Sequence, residues 1–141
     1  MLSIAICDDE TLYVQQTENF VQEYLRCHPE CSGQVHTFRH GQELLCQVEE
    51  TGGFDLYLLD IVMPGLNGIQ TGQRLRELGN GGEIVYLTTS PDYAVDSYSV
   101  RAFFYLLKPI KKERLFEVLD AAVEKLNDRR CRAVLVTTRG R

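Results

Sequence analysis

Four short runs of this chain are apolar through their middles, and each ends on residues that carry charge or hydroxyl. They are Leu2 to Cys7, followed by Asp8, Asp9 and Glu10; Asp55 to Asp60 (DLYLLD); Glu83 to Thr88 (EIVYLT), followed by Thr89 and Ser90; and Phe103 to Leu107, followed by Lys108 and Pro109. A strand with one wet face alternates apolar and polar side chains. A strand apolar at successive positions is buried on both faces, as happens in parallel sheets covered by helices.

The intervening segments supply those helices. Thr11 to about His28 carries Leu12, Val14, Phe20, Val21, Tyr24 and Leu25 and is stopped by Pro29 and Gly33. Gly41 to Glu50 presents Leu44, Leu45 and Val48, and Ile69 to Leu78 is closed by the run GNGG. Asp92 to about Ser99 reads as a short helix, and Lys111 to about Asp128 as a long one with Leu115, Val118, Leu119, Ala122, Val123 and Leu126 on one face. Val35 to Phe38 is a further short strand. Five strands alternating with five helices predict an α/β fold, a doubly wound parallel sheet in the order 2-1-3-4-5.

A chain of 141 residues suits one such domain. Its net charge of −5 argues against a uniformly basic nucleic-acid binder, but the average hides a boundary. Residues 1–128 carry a balance of −10, and residues 129–141 carry five arginines and no acid. The tail reads as a basic linker followed by a sixth strand, Ala133 to Thr138 (AVLVTT). A lone strand cannot form a domain. It is either a tail or the opening of a second domain absent from this chain.

No apolar run is long enough to span a membrane, and the N-terminus has no signal-peptide pattern, so a cytoplasmic location is expected. Five cysteines, an odd number with Cys7 in an apolar strand, do not make a disulfide framework. The cluster Cys27-His28-Pro29-Glu30-Cys31 lacks the usual zinc spacing and a second ligand pair. Helix-end residues are the better account of it.

Ligands bind an open parallel sheet beyond the carboxyl ends of its strands. The predicted order brings Asp8, Asp9, Asp60, Thr88 and Lys108 to that rim. Singly, Asp8 or Asp9 reads as a helix cap, Thr88 as strand-end hydrogen bonding and Lys108 as a solvated lysine. Asp60 is harder to dismiss, because a carboxylate closing an apolar strand needs a positive partner. Adjacent carboxylates repel and call for a cation. Oxygen ligands without His or Cys favour Mg²⁺ (or Mn²⁺). A carboxylate beside such an ion can attack phosphorus, with Lys108 and the Thr88 hydroxyl neutralising the remaining oxygens.

With these groups in place, the sequence resembles the receiver domain of a two-component response regulator. The motifs are CDDE at 7–10, DIVMPGLNG at 60–68, YLTTS at 86–90 and YLLKP at 105–109, and the resemblance covers about residues 1–128. It implies the CheY-like (flavodoxin-like) receiver fold, with Asp60 as phosphoacceptor and Asp9 as a direct metal ligand. Asp8 would act largely through water, and Val62 through its backbone carbonyl. Thr88 would be the switch hydroxyl, with Thr89 beside it where Ala is frequent, and Lys108 the phosphoryl-binding lysine. Tyr105 would be the aromatic that turns inward when Thr88 moves, and the Lys108–Pro109 bond is cis in the family.

The resemblance also implies a sensor histidine kinase as partner. It implies dimerisation through the fourth helix, fifth strand and fifth helix, with Tyr93, Tyr98, Val100 and Phe103 or Phe104 as candidate aromatic and apolar content. Residues 91–110 are similar to regulators with a LytTR-type (LytR/AgrA-like) DNA-binding domain, which would bind DNA and control transcription. Such a receiver catalyses only its own phosphorylation and dephosphorylation and is not a turnover enzyme.

Three rivals remain open. A phosphatase of the haloacid dehalogenase type wants its nucleophile in D-x-D after strand one, where this chain has Asp8 and Glu10. A flavodoxin-like binding module wants a Ser/Thr/Gly-rich loop where this chain has DDETLY. A receiver-like scaffold that is never phosphorylated would lack one of the key residues.

Overall fold

The computed structural model describes residues 2–139, with side chains described to residue 129. The chain divides into two units, residues 1–110 and 111–141. In the first unit the four apolar runs and the further short strand become β1 (Leu2–Cys7), β2 (Gly33–Phe38), β3 (Leu56–Leu59), β4 (Glu83–Thr88) and β5 (Phe104–Leu107). They form one parallel sheet in the order β2-β1-β3-β4-β5, as the alternation predicts. β1, β3 and β4 lie inside it, and their residues are buried almost without exception.

Three helices cover the sheet: α1 (Thr11–Cys27), α2 (Gly41–Thr51) and α3 (Gly68–Glu77). One core joins Ala5, Cys7, Tyr57, Leu59, Ile84 and Tyr86 of the strands to Leu44, Leu45 and Val48 of α2 and Ile69 and Leu75 of α3. The alternate strand residues, Ile4, Ile6, Leu56, Leu58, Val85 and Leu87, are buried on the opposite face, on the side of α1. Burial in this core drives the Cys7 thiol up to about 12, so it is an inert hydrophobe.

The turn that follows β3 is built by its sequence. Gly65 sits at φ +75, a conformation few side chains tolerate. Asn67 caps α3: its side chain accepts from the Gln70 N–H at 2.8 Å, while the Gln70 side chain accepts from the Asn67 N–H at 2.9 Å. Gly68 is required by close approach, because a Cβ there would lie 2.2 Å from the Asp60 carbonyl oxygen.

Two expectations need correction. The short helix expected over Asp92–Ser99 is instead two single-turn 3-10 segments, Pro91–Tyr93 and Asp96–Val100. The segment is too short to nucleate an α-helix well. Its serines also compete for backbone groups: Ser97 and Ser99 hydroxyls donate to the carbonyls of Ala94 and Asp96, at 2.6 and 2.7 Å.

The sixth strand expected at Ala133–Thr138 is helical. The second unit contains α4, Lys112–Arg139, a single helix of 28 residues. No Gly or Pro interrupts residues 112–139, and the arginines after Asp128 are good helix formers. The β-branched run beyond them follows the helix rather than its own propensity. Leu115, Val118, Leu119, Ala122 and Leu126 are buried at helical spacing, as expected. The remaining side chains of the basic tail lie outside the described residues.

Asn67→Ala removes the side-chain acceptor for the Gln70 N–H and leaves the other half of the capping box, since the residue-67 backbone N–H can still donate to the Gln70 side chain. It should lower unfolding stability by about 1 kcal/mol without changing the urea m-value. An unchanged midpoint would show that the Asn67 side chain contributes nothing to holding the turn.

Candidate functional site

Asp8, Asp9 and Asp60 converge at the carboxyl ends of β1 and β3. One carboxylate oxygen from each lies within 4.8 Å of the other two, and among the described residues this is the one such grouping of metal-capable side chains. The Cys27–Cys31 segment forms no such group. There the His28 ring stacks on Tyr24, and its Nδ1 pairs with the Tyr24 carbonyl at 2.8 Å.

Two of the acids are buried, Asp8 and Asp60 each 5% exposed, while Asp9 is half-buried. The register explains the convergence. Cys7 pairs with Leu59, so the residues that follow both strands leave the sheet side by side. The Asp60 N–H donates to the Cys7 carbonyl at 2.9 Å, which continues the ladder into the site.

Lys108 reaches this cluster from the end of β5. Its Nζ lies 2.6 Å from Asp8 Oδ2 and 3.7 Å from Asp60 Oδ2, with the side chains almost wholly buried. Its Nζ also sits 3.8 Å from the centre of the Tyr13 ring, a cation–π contact. The Lys108–Pro109 peptide is cis. The Ile61 N–H donates to Asp60 Oδ1 at 2.8 Å, and the Glu10 N–H donates to Asp8 Oδ1 at 3.0 Å.

Burial raises the Asp60 carboxyl from 3.8 to about 6. Lys108 pulls it down, Asp8 and Asp9 push it up, and the Ile61 N–H pulls it down again. Burial therefore outweighs the lysine. For the metal-free fold, the contribution of this group is fully present below the unfolded value of 3.8 and is lost as pH rises through about 6. A divalent cation favours the ionised form and reverses that penalty. The donor set fits Mg²⁺: three carboxylates, no sulfur or imidazole, and one acid open enough to leave room for water ligands.

The other predicted residues flank the cluster. Thr88 is fully buried at the end of β4, and its Oγ1 accepts from the Ser90 N–H at 3.3 Å. Thr89 is exposed at the rim, and Val62 presents an exposed side chain beyond Asp60. Tyr105 is half-buried, and its hydroxyl donates to the Ser90 carbonyl. Its ring centre lies 6.3 Å from that of Tyr86, whose own hydroxyl donates to the Gly68 carbonyl at 2.8 Å.

Of the aromatic and apolar candidates for a dimer face, Val100 belongs to the core. Tyr93, Phe103 and Phe104 are half-buried, and Tyr98 is 81% exposed. Sequence reasoning passed over Tyr13 and Ser90. Tyr13 carried one signal, its position in the first turn of a helix that starts beside the acids. Ser90 carried none beyond adjacency to Thr88-Thr89.

The fold is thus an open parallel α/β sheet with clustered acids at its rim, a hydroxyl on the next strand and a lysine beyond it. The response regulator receiver domain family matches residues 4–120, and the chain belongs to that family. It is similar to the positive alginate biosynthesis regulatory protein of Pseudomonas aeruginosa, 32% identical over 124 residues that cover 86% of this chain and 47% of that protein. It is also similar to the transcriptional regulatory protein YpdB of Escherichia coli, 27% identical over 119 residues that cover 84% of this chain and 46% of that protein. The chain thus spans about half the length of the curated relatives it matches. Among solved structures, the response regulatory domain of protein mrkE from Klebsiella pneumoniae superposes with a TM-score of 0.80 at 23% identity, covering 90% of this chain and 99% of that one. A CheY-like receiver domain protein from Methanospirillum hungatei gives 0.78 at 22% identity, covering 92% and 98%. These likenesses establish the receiver fold. Among the described residues, no helix is long and apolar enough to cross a membrane.

Lys108→Met removes the cation but keeps the bulk. The Asp60 carboxyl should then titrate above its present value of about 6, because the largest downward influence is gone. Carboxyl carbon NMR in the metal-free protein checks this. Titration at an unchanged pH would mean that Lys108 has no hold on Asp60.

Proposed function

We propose that the chain is a phosphorylation-activated signalling receiver in which Asp60 takes a phosphoryl group from the phosphohistidine of a sensor kinase. One observation supports this above the others. The buried Asp60 carboxylate stands at a strand end among two further acids, with a lysine ammonium 3.7 Å away.

An Asp60 carboxylate oxygen attacks phosphorus, the N–P bond of the phosphoimidazole breaks, and the imidazole leaves with the electron pair. The product is an acyl phosphate on Asp60. Water later cleaves that bond and restores the carboxylate, so the domain does not turn over an external substrate. Asp8, Asp9, Asp60 and the Val62 backbone carbonyl would hold Mg²⁺ (or Mn²⁺), which neutralises charge on the transferred group. Lys108 stands between Asp8 and Asp60, so its ammonium can leave Asp8 and pair with the phosphoryl oxygens after a small side-chain movement. Thr88 offers its hydroxyl to a further oxygen.

As Thr88 moves, its contact with the Ser90 N–H opens, and the neighbouring tie from Tyr105 to the Ser90 carbonyl is released. Residues 91–99 then repack, and the surface carrying exposed Val95 and Tyr98 changes its partners. The output we propose is homodimerisation through that surface and control of transcription by a LytTR-type DNA-binding domain outside this chain, in the cytoplasm. The relatives named as transcriptional regulators, about twice as long as the matched region, support this output. The phosphatase reading loses ground because the chain has Asp8 and Glu10 where that class wants D-x-D after β1.

Incubation with acetyl phosphate and Mg²⁺ should add one phosphoryl group to Asp60, located by mass spectrometry. Asp60→Asn should abolish it, and labelling that persists in this variant refutes the assignment. Thr88→Ala should still be labelled but lose phosphorylation-dependent dimerisation by light scattering. Undiminished dimerisation would remove the hydroxyl from the relay.

A further inference from the structure

Arg76 lies in the last turn of α3, away from the acid cluster, and its guanidinium donates to four backbone carbonyls. Nη1 bonds Asn80 and Gly82 at 2.9 and 2.8 Å, closing the loop from α3 to β4. Nε bonds Val100 at 2.8 Å, and Nη2 reaches Arg101 at 3.4 Å. The second pair belongs to the C-terminal end of the Asp96–Val100 turn, where carbonyls have no partner within their own helix. The planar fork of an arginine can serve several acceptors at once, which an ammonium cannot do in this geometry.

The chain reverses at this point. Arg101 has φ 55, the one positive value at a non-glycine residue among the described residues. Its N–H donates to Tyr98, that of Ala102 to Ser97 at 3.1 Å, and that of Phe103 to Ile84 of β4 at 2.6 Å. The reversal delivers the chain into β5. Val100 itself is fully buried, and a Cβ on Gly72 of α3 would lie 3.2 Å from it.

Residues 91–99 therefore hang between two unlike anchors. The N-terminal one runs through Ser90 to Thr88 and Tyr105, the pair proposed to move. The C-terminal one runs through Val100 and Arg101 to Arg76, whose hydrogen bonds go to carbonyls other than those that Thr88 and Tyr105 serve.

We propose that Arg76 is a positioning residue for the switch: it fixes the far end of the 91–99 segment as a pivot. Loss of the Ser90 anchor then swings that segment without loosening the entry to β5. The proposal rests on the switch role proposed for Thr88 and Tyr105.

The test is amide hydrogen exchange on the full chain, before and after acetyl phosphate with Mg²⁺, in wild type, Arg76→Gln, Arg76→Lys and the same-charge control Arg74→Gln. In the resting protein, Arg76→Gln should exchange the amides of residues 101–103 roughly tenfold faster, the size of one charge-assisted hydrogen bond lost. Arg74→Gln should match wild type. On phosphorylation, changes should stay within 91–99 in wild type and spread through 101–105 in Arg76→Gln, with Asp60 labelled normally in both. Unchanged resting exchange at 101–103 in Arg76→Gln overturns the pivot alone, as do wild-type changes that are as large at 101–103 as at 91–99. Failure to label Asp60 in wild type overturns the receiver reading and the pivot with it. Should Arg76→Gln fail to fold, Arg76→Lys decides: accelerated exchange at 101–103 supports the fork, and wild-type protection overturns it.

Discussion

The ion cluster of Lys108 with Asp8 and Asp60 is the constraint on which the rest of the site depends. Two carboxylates and an ammonium are held out of water at the ends of three different strands. Such a group is costly to bury, and it is tolerable only where every member has a partner. Among the described residues, no buried side-chain polar atom is without one. The arrangement still leaves Asp60 poorly compensated, since burial lifts its carboxyl to about 6 in spite of the lysine. The resting fold thus holds an acid that gains from any added positive charge, a suitable state for a residue meant to act beside a divalent cation.

The hydrogen-bond ladder supplies the geometry that side-chain chemistry alone cannot. β1 and β3 are adjacent, with Cys7 opposite Leu59, so Asp8 and Asp60 emerge together. β4 lies next to β3 and β5 next to β4, which carries Thr88 and the end bearing Lys108 to the same rim. Fifty-two residues separate Asp8 from Asp60, and a hundred separate Asp8 from Lys108. Only the sheet order brings them within bonding distance.

Much of this was legible in the sequence because it depended on patterns with strong physical causes. Continuous apolar runs announced buried parallel strands, and Glu83–Thr88 emerged with the predicted limits. The polar residues at strand ends announced the rim. What was not legible depended on competition between near-equal local preferences. Asp92–Ser99 read as one short helix, but serine hydroxyls and short length tipped it to two 3-10 turns. In Ala133–Thr138 β-branched residues suggested a strand, but an uninterrupted helix upstream carried through. Arg76 carried no sequence signal, because its carbonyl acceptors at Val100 and Arg101 are set by tertiary structure.

The close packing at Gly68 has one more consequence. The backbone behind Asp60 is wedged against α3, with the Gly68 N–H donating to the Ile61 carbonyl at 2.8 Å and the Gly68 carbonyl accepting from Tyr86. The main chain on that side is a stiff wall. A phosphoryl group on Asp60, as proposed, would meet this wall on one side and the residues Thr88, Ser90 and Tyr105 across the rim on the other. At this position the absence of a methyl group is what lets the strand end and the helix start stand so close.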